Sequence, residues 1–202
     1  MKSLVLSTRN AHKVREFAGL MPGWRIEPLP DHVTLPPETG ATFERNALDK
    51  ARAAATALDR AAIADDSGIA AAALGGAPGV RSARFAGDGA TDDQNLDRLI
   101  ACLADADDKS VEYVCAIAYV DPAGVEQVFT GRCRGRLIAK RRGDGGFGYD
   151  PAVIPDDYGD DRTMAQLTQA EKNAISHRGR AARQMLAWLS DADRPDKTEA
   201  GD

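Results

Sequence analysis

Short apolar runs alternate along the chain with stretches in which apolar residues recur every three or four positions, and this divides it into strands and helices. Leu4-Val5-Leu6 gives way to the polar Ser7-Thr8-Arg9-Asn10, which predicts a buried strand ending in a loop, followed by a helix over 11–20. From Thr42 onward Phe43, Ala47, Ala51, Ala54 and Leu58 recur at helical spacing, and Asn46 and Lys50, four apart, share one face of that helix. A short strand over 61–64 runs into Asp65-Asp66-Ser67-Gly68, which reads as a turn, and Gly75-Gly76-Ala77-Pro78-Gly79 is a second turn cluster. Thr91 with Gln94 forms a capping box for a third helix carrying Leu96, Leu99, Ile100 and Leu103. Residues 111–120 and 125–138 flank Asp121-Pro122-Ala123-Gly124 and predict an antiparallel hairpin. Residues 139–162 read as a glycine-rich loop. Thr168 with Glu171 caps a short helix, and Ser176 caps a last one whose apolar side is Ala182, Met185, Leu186 and Leu189. Helices mixed with strands predict an α/β fold with a mixed sheet, as one domain over 1–190 and a polar tail over 191–202.

Composition narrows the function. With 202 residues, 43% of them hydrophobic, the chain can bury a sizeable core. Its formal net charge of −5 speaks against a protein that coats nucleic acid through charge, so a polyphosphate partner has to be met by a local basic cluster. The three cysteines, Cys102, Cys115 and Cys133, lie far apart with no CxxC, the pattern of small buried residues in a reducing compartment. No signal-like start and no apolar stretch of membrane-spanning length is evident, so the expected location is the cytoplasm, without a membrane partner.

Candidate chemistry lies in four segments. A turn at Asp65-Asp66-Ser67-Gly68 would push two adjacent carboxylates out at a sheet edge, a donor set suited to a hard cation such as magnesium, with a free carboxylate able to deprotonate water. Asn10 and Lys13 flank a helix start, where free N–H groups and the dipole favour phosphate. Gly146-Phe147-Gly148-Tyr149-Asp150 reads as a loop that places an aromatic ring against a base. Lys172, Asn173, Ser176, His177 and Arg178 crowd two helix ends with donors. Gly143, Gly145 and Gly148 match GxGxxG, but Tyr149-Asp150-Pro151 follows where a dinucleotide fold requires a helix. GxSxG, the P-loop and HExxH are all absent.

In chain order, Ser7-Thr8-Arg9-Asn10-Ala11-His12-Lys13, Glu38-Thr39-Gly40-Ala41-Thr42-Phe43, Asn46-Ala47, Lys50-Ala51, Ala64-Asp65-Asp66-Ser67-Gly68, Leu74-Gly75-Gly76-Ala77-Pro78-Gly79, Ser82-Ala83-Arg84-Phe85, Gly146-Phe147-Gly148-Tyr149-Asp150-Pro151, Glu171-Lys172-Asn173 and Ile175-Ser176-His177-Arg178-Gly179 resemble the inosine/xanthosine triphosphate pyrophosphatase family. The resemblance spans 4–189 and implies an elongated mixed sheet flanked by helices, two lobes with a nucleotide cleft between them, and a homodimer. It implies hydrolysis of ITP, dITP and XTP to the monophosphate and pyrophosphate, with magnesium, or manganese in its place, held by Glu38 and Asp66 and with Asp65 close by. Asp66 would be the general base, with Lys13 and Lys50 beside it in the catalytic set. Thr8, Asn10, Lys13, Lys50 and Ser67 would contact the triphosphate, Ser7, Arg9, Ala11 and His12 would belong to the same substrate-binding segment, and Phe147, Gly148, Tyr149, Asp150, Lys172, His177 and Arg178 would form the base and sugar end. The chain departs from the family pattern at Ala70 to Ala73, at Gln166 and at His12. A nucleotide pyrophosphatase of the septum-inhibitor type and a non-catalytic nucleotide-binding module are the competing readings.

Overall fold

The computed structural model describes residues 2–192. One six-stranded mixed sheet forms the spine, in the order β2-β1-β3-β4-β5-β6. Its strands are β1 (Lys2–Leu6), β2 (Trp24–Pro28), β3 (Ala62–Ala71), β4 (Ser110–Val120), β5 (Glu126–Leu137) and β6 (Val153–Pro155). β1 runs parallel to both β2 and β3, and every later pairing is antiparallel. The helices are α1 (Ala11–Leu20), α2 (Phe43–Leu58), α3 (Asp92–Cys102), α4 (Gln169–Ile175) and α5 (His177–Ala192).

Local capping starts these helices where the sequence places the starts. Thr42 accepts from Arg45 N, and Thr91 with Gln94 and Thr168 with Glu171 close full capping boxes. Thr163 and Gln166 close one more over a single 3₁₀ turn.

Two segments differ from the sequence reading. Asp65-Asp66-Ser67-Gly68 is not a turn: it lies in the middle of β3, which pairs with β4 without a break from Ala62↔Val120 to Ala71↔Val111. Asp and Gly are poor strand formers alone, but pairing and packing outweigh local preference. A Cβ at Gly68 would stand 2.4 Å from Ser82 Oγ and 2.6 Å from the Gly79 carbonyl, so this strand glycine admits a close backbone approach. The glycine-rich stretch 139–162 is likewise not all loop, since β6 lies within it and adds an edge to β5.

Strand alternation sorts β4 into two faces. Val111, Tyr113, Cys115 and Ile117 point to one side, and Ala116, Ala118 and Val120 to the other. At the β1 end of the sheet, α1 and α5 pack on the first face through Phe17, Leu20, Ala182, Met185 and Leu189. On the opposite face Ala47, Ala51, Ala54 and Ala55 of α2 lie against Ala62, Ala64, Ala116 and Ala118, so small residues on both sides seat the helix close to the sheet. A third core joins α3, the far ends of β3, β4 and β5, and Tyr149, Val153, Met164 and Leu167. A cleft opens where these cores meet.

Gly131 of β5 fixes the start of α5, because a Cβ there would lie 2.1 Å from the His177 carbonyl. The polar tail expected from residue 191 begins inside α5, and beyond Ala192 it lies outside the described residues. Among the described residues no helix is long and apolar enough to cross a membrane.

Candidate active site

The strand geometry of β3 decides what its two aspartates do. Adjacent strand residues point to opposite faces, and Asp65 therefore faces α1 and α5 while Asp66 faces α2. Asp65 is fully buried. Its Oδ1 lies 3.0 Å from Lys13 Nζ, and its Oδ2 accepts from Arg178 Nε at 3.1 Å and Nη2 at 2.8 Å. Burial alone would raise its pKa, but Lys13, Arg178 and Lys50 hold it well below the usual carboxylate range. The expectation that both carboxylates emerge together is corrected here: Asp65 anchors cations, and only Asp66 borders the cleft.

Asp66 has weaker compensation. Its Oδ2 accepts from Asn46 Nδ2 at 2.8 Å, its Oδ1 accepts from Ser67 N at 3.0 Å, and Lys50 Nζ stands 3.9 Å away. Burial, partly offset by Lys50 and reinforced by the nearby Glu38 charge, raises its pKa to about 6. Lys50 Nζ donates to Glu38 Oε1 and, at 2.8 Å, to the Asp65 carbonyl. One ammonium thus sits between the carboxylates of Glu38 and Asp66. Asn46 is itself held by Gly40 N, which donates to its Oδ1 at 2.7 Å, so the Glu38-Thr39-Gly40 turn, Asn46 and Asp66 form one connected unit.

The segment from Ser7 to Lys13 follows β1 at the cleft edge. Asn10 caps α1, its Oδ1 accepting from His12 N at 2.9 Å and Lys13 N at 3.4 Å, and Thr8 Oγ1 accepts from Asn10 N at 3.2 Å. Ser7 is buried and donates to the Lys50 carbonyl at 2.8 Å. Arg9 borders the cleft, yet its guanidinium donates to the carbonyls of Leu29, Pro30 and Val33 at 2.7, 2.9 and 2.8 Å, clasping the segment after β2. Ala11 and His12 are outside the cleft lining. The His12 ring packs on Phe147, with centroids 5.3 Å apart, and Arg15 donates to its Nδ1.

At the opposite end stands Phe147, with Lys172 Nζ 5.0 Å and the Arg178 guanidinium 5.8 Å from its ring centre. The loop backbone is held from two sides: Asp150 Oδ2 accepts from Phe147 N and Asp92 accepts from Gly148 N, each at 2.9 Å. Asp150 Oδ2 also takes a 2.7 Å bond from Lys172. Tyr149 is turned inward, its phenol donating to the Ser82 carbonyl at 2.7 Å. His177 is buried, its Nδ1 lacks a partner among the described residues, and burial with Arg178 and Lys172 nearby pushes its pKa well below the ordinary range, leaving a neutral ring beside the cleft.

Arg178 joins the two ends. Of the five N–H groups of a guanidinium, one Nε–H and one Nη2–H go to Asp65, a second Nη2–H to Ser67 Oγ at 2.8 Å, and one Nη1–H to Glu16 Oε2. Among the described residues a single Nη1–H remains for a ligand. Glu16, which the sequence reading did not single out, also accepts from Lys172 at 2.7 Å. Burial would raise its pKa, but Arg178 and Lys172 outweigh that and hold it below the ordinary value. The available signal was its position three residues after Lys13 on α1, which puts both on one helix face. Ser82, from the segment Ser82-Ala83-Arg84-Phe85, also lines the cleft, as do Asp92, Asn95 and Tyr113, which carry no site signal in the sequence.

Among the described residues, no group of three or more His, Cys, Asp or Glu side chains converges as a ready-made metal site. Glu38 and Asp66 do fit a hard divalent cation by donor chemistry. They are two oxygen donors at a cleft edge, one of them a buried carboxylate with a raised pKa, and magnesium takes few protein carboxylates and completes its shell with water and phosphate.

Comparison with known proteins gives a consistent picture. The model of the Ham1 family matches residues 4–188. A dITP/XTP pyrophosphatase of Mycobacterium bovis is 45% identical over 199 residues, covering 92% of this chain and 94% of the relative. One from Desulfotalea psychrophila is 41% identical, covering 92% and 87%. The solved structure of the Staphylococcus aureus Ham1 protein superposes with a TM-score of 0.85 at 36% identity, over 95% of this chain and all of the other. The mixed six-stranded sheet, its flanking helices and the sequence match over nearly the whole length establish that the chain belongs to the Ham1 family.

Proposed function

We propose that this chain hydrolyses non-standard purine nucleoside triphosphates, namely dITP, ITP and XTP, to the monophosphate and pyrophosphate, and so cleanses the nucleotide pool. The observation that carries the reading is one cleft with a Glu38–Lys50–Asp66 cluster at one end and the Phe147 ring, with its cations and neutral His177, at the other. The naming of relatives at 41% and 45% identity as dITP/XTP pyrophosphatases supports it.

Glu38 and Asp66 would hold magnesium or manganese, which supplies neutralisation of the polyphosphate and makes water more acidic. Asp66 is the general base for water attack on the α-phosphorus; burial raises its pKa to about 6 in the metal-free protein, so its carboxylate is ionised at neutral pH and carries a charge that a divalent cation would neutralise. Lys13 and Lys50 stabilise charge along the phosphates, and Ser67 and the capped start of α1 receive the rest of the chain of phosphates. Arg9 serves by fixing the wall of the cleft, since its donors are already engaged.

The base lies against Phe147. Arg178, through its remaining N–H, and His177 face its edge, while Lys172, Asp150, Gly148 and Tyr149 shape the platform. A donor directed at O6 favours hypoxanthine and xanthine over adenine, whose amino group leaves that donor unpaired. The enzyme acts as a homodimer in the cytoplasm, without a nucleic-acid partner, in keeping with its net charge of −5.

A panel of purified nucleotides tests this reading. Pyrophosphate release from dITP, ITP and XTP with magnesium is expected to exceed that from ATP by on the order of a thousandfold in kcat/KM, and to stop with EDTA. Equal rates on ATP and ITP, or full activity with EDTA, contradict it.

A further inference from the structure

Behind the base end of the cleft, Tyr113 of β4 touches two residues from different elements. Its ring lies flat against His177 at the start of α5, with centroids 4.9 Å apart and planes inclined by 9°. Its phenol donates to Asp150 Oδ1 at 3.1 Å. The side chain is 5% exposed and borders the cleft.

We propose that Tyr113 is a positioning residue for base recognition: it holds Asp150, and through Asp150 the Phe147 platform and Lys172, while its ring sets the plane of His177. This rests on the base-end reading given above. The two Asp150 oxygens have separate duties. Oδ2 accepts from Phe147 N and Lys172 Nζ, whereas Oδ1 accepts from the Tyr113 phenol. Removing the phenol leaves Oδ1 buried without its donor and frees the carboxylate to rotate, so the amide and the ammonium lose a fixed acceptor.

The loop cannot supply that order by itself. Phe147 is flanked by Gly146 and Gly148, both at positive φ, and a Cβ on Gly146 would lie 2.1 Å from Asp150 Oδ2, so the loop rests directly on this carboxylate. Tyr113 stays a donor at all working pH values, because burial and the neighbouring Asp150 push its phenol far above the ordinary value. Sequence pattern hides the role, since Tyr113 alternates with Val111, Cys115 and Ile117 along an ordinary core face.

Binding of IMP and of inorganic pyrophosphate, measured by calorimetry on the full chain, tests the proposal in wild type, Tyr113→Phe, Asp150→Asn and the double variant. Tyr113→Phe removes one oxygen and keeps the ring stack, and a melting curve verifies the fold. It is expected to weaken IMP binding about fivefold, the worth of one hydrogen bond, and to leave pyrophosphate binding unchanged. Asp150→Asn is expected to weaken IMP as well, and adding Tyr113→Phe to it is expected to cost nothing further, because the two act through one contact. Unchanged IMP affinity in folded Tyr113→Phe, parallel loss of IMP and pyrophosphate, or simple additivity with Asp150→Asn each overturns the proposal. Wild-type IMP affinity in Asp150→Asn identifies a different failure, that of the base-end reading itself, and removes the proposal with it.

Discussion

Asp65 and Asp66 are neighbours in β3 and serve opposite faces of the sheet: Asp65 Oδ2 lies 2.8 Å from Arg178 Nη2 on the α5 side, and Asp66 Oδ2 lies 2.8 Å from Asn46 Nδ2 on the α2 side. One step along a strand thus separates a carboxylate locked between cations from one held under strained electrostatics at the cleft. The two pKa shifts, down for Asp65 and up for Asp66, follow from that separation.

For Asp66 the folded-state pKa of about 6 exceeds the ordinary 3.8. Between these values the folded protein binds more protons than the unfolded chain, so stability falls as pH rises through that window and the cost of the charge is complete above it. Asp66→Asn is therefore expected to lower turnover by roughly a hundredfold or more, while melting about 2–5 °C higher than wild type at pH 8 in EDTA. Near-normal turnover, or a lower melting point at pH 8, contradicts the assignment.

Asp65 has the reverse sign. Its pKa lies below the ordinary value, so its contribution is complete above about pH 4 and is lost as acid protonates it. Asp65→Asn leaves Lys13 without its counter-charge and the buried Arg178 with Glu16 alone, and is expected to cost about 3–5 kcal/mol at pH 7. Urea melts at pH 7 measure this directly, and a loss below about 1 kcal/mol means that the Lys13–Asp65–Arg178 network is not a stabilising anchor.

Arg178→Lys retains a charge and discards the planar fork that reaches Asp65, Glu16 and Ser67 at once. It is expected to narrow the ITP-to-ATP ratio of kcat/KM by about tenfold or more, because the donor that remains for the base is no longer fixed. If both substrates lose the same factor, Arg178 serves its buried carboxylates and reads no base.

The helices were legible because their signals are local. The caps at Asn10, Thr42, Thr91 and Thr168 and the spacing of Ala47, Ala51 and Ala54 need no distant partner. β3 was cut short and β6 went unseen because their extent is set by pairing with β4 and β5, which no local window contains. The site divides in the same way. Lys13, Lys50, Asp66 and Phe147 stood out as chemistry-bearing types beside turns, and the structure brings them to one cleft. Glu16 and Tyr113 resemble ordinary surface and core residues until the fold places them against Arg178 and Asp150. The divergence of Asp65 from Asp66 required knowing that they sit in a strand.

Hydrolysis of ITP in water enriched in ¹⁸O, with magnesium present, tests the central claim most directly. Attack on the α-phosphorus predicts IMP and pyrophosphate as the first products, with the heavy oxygen in IMP and none in pyrophosphate. Orthophosphate as the first product, or label carried by pyrophosphate, contradicts it.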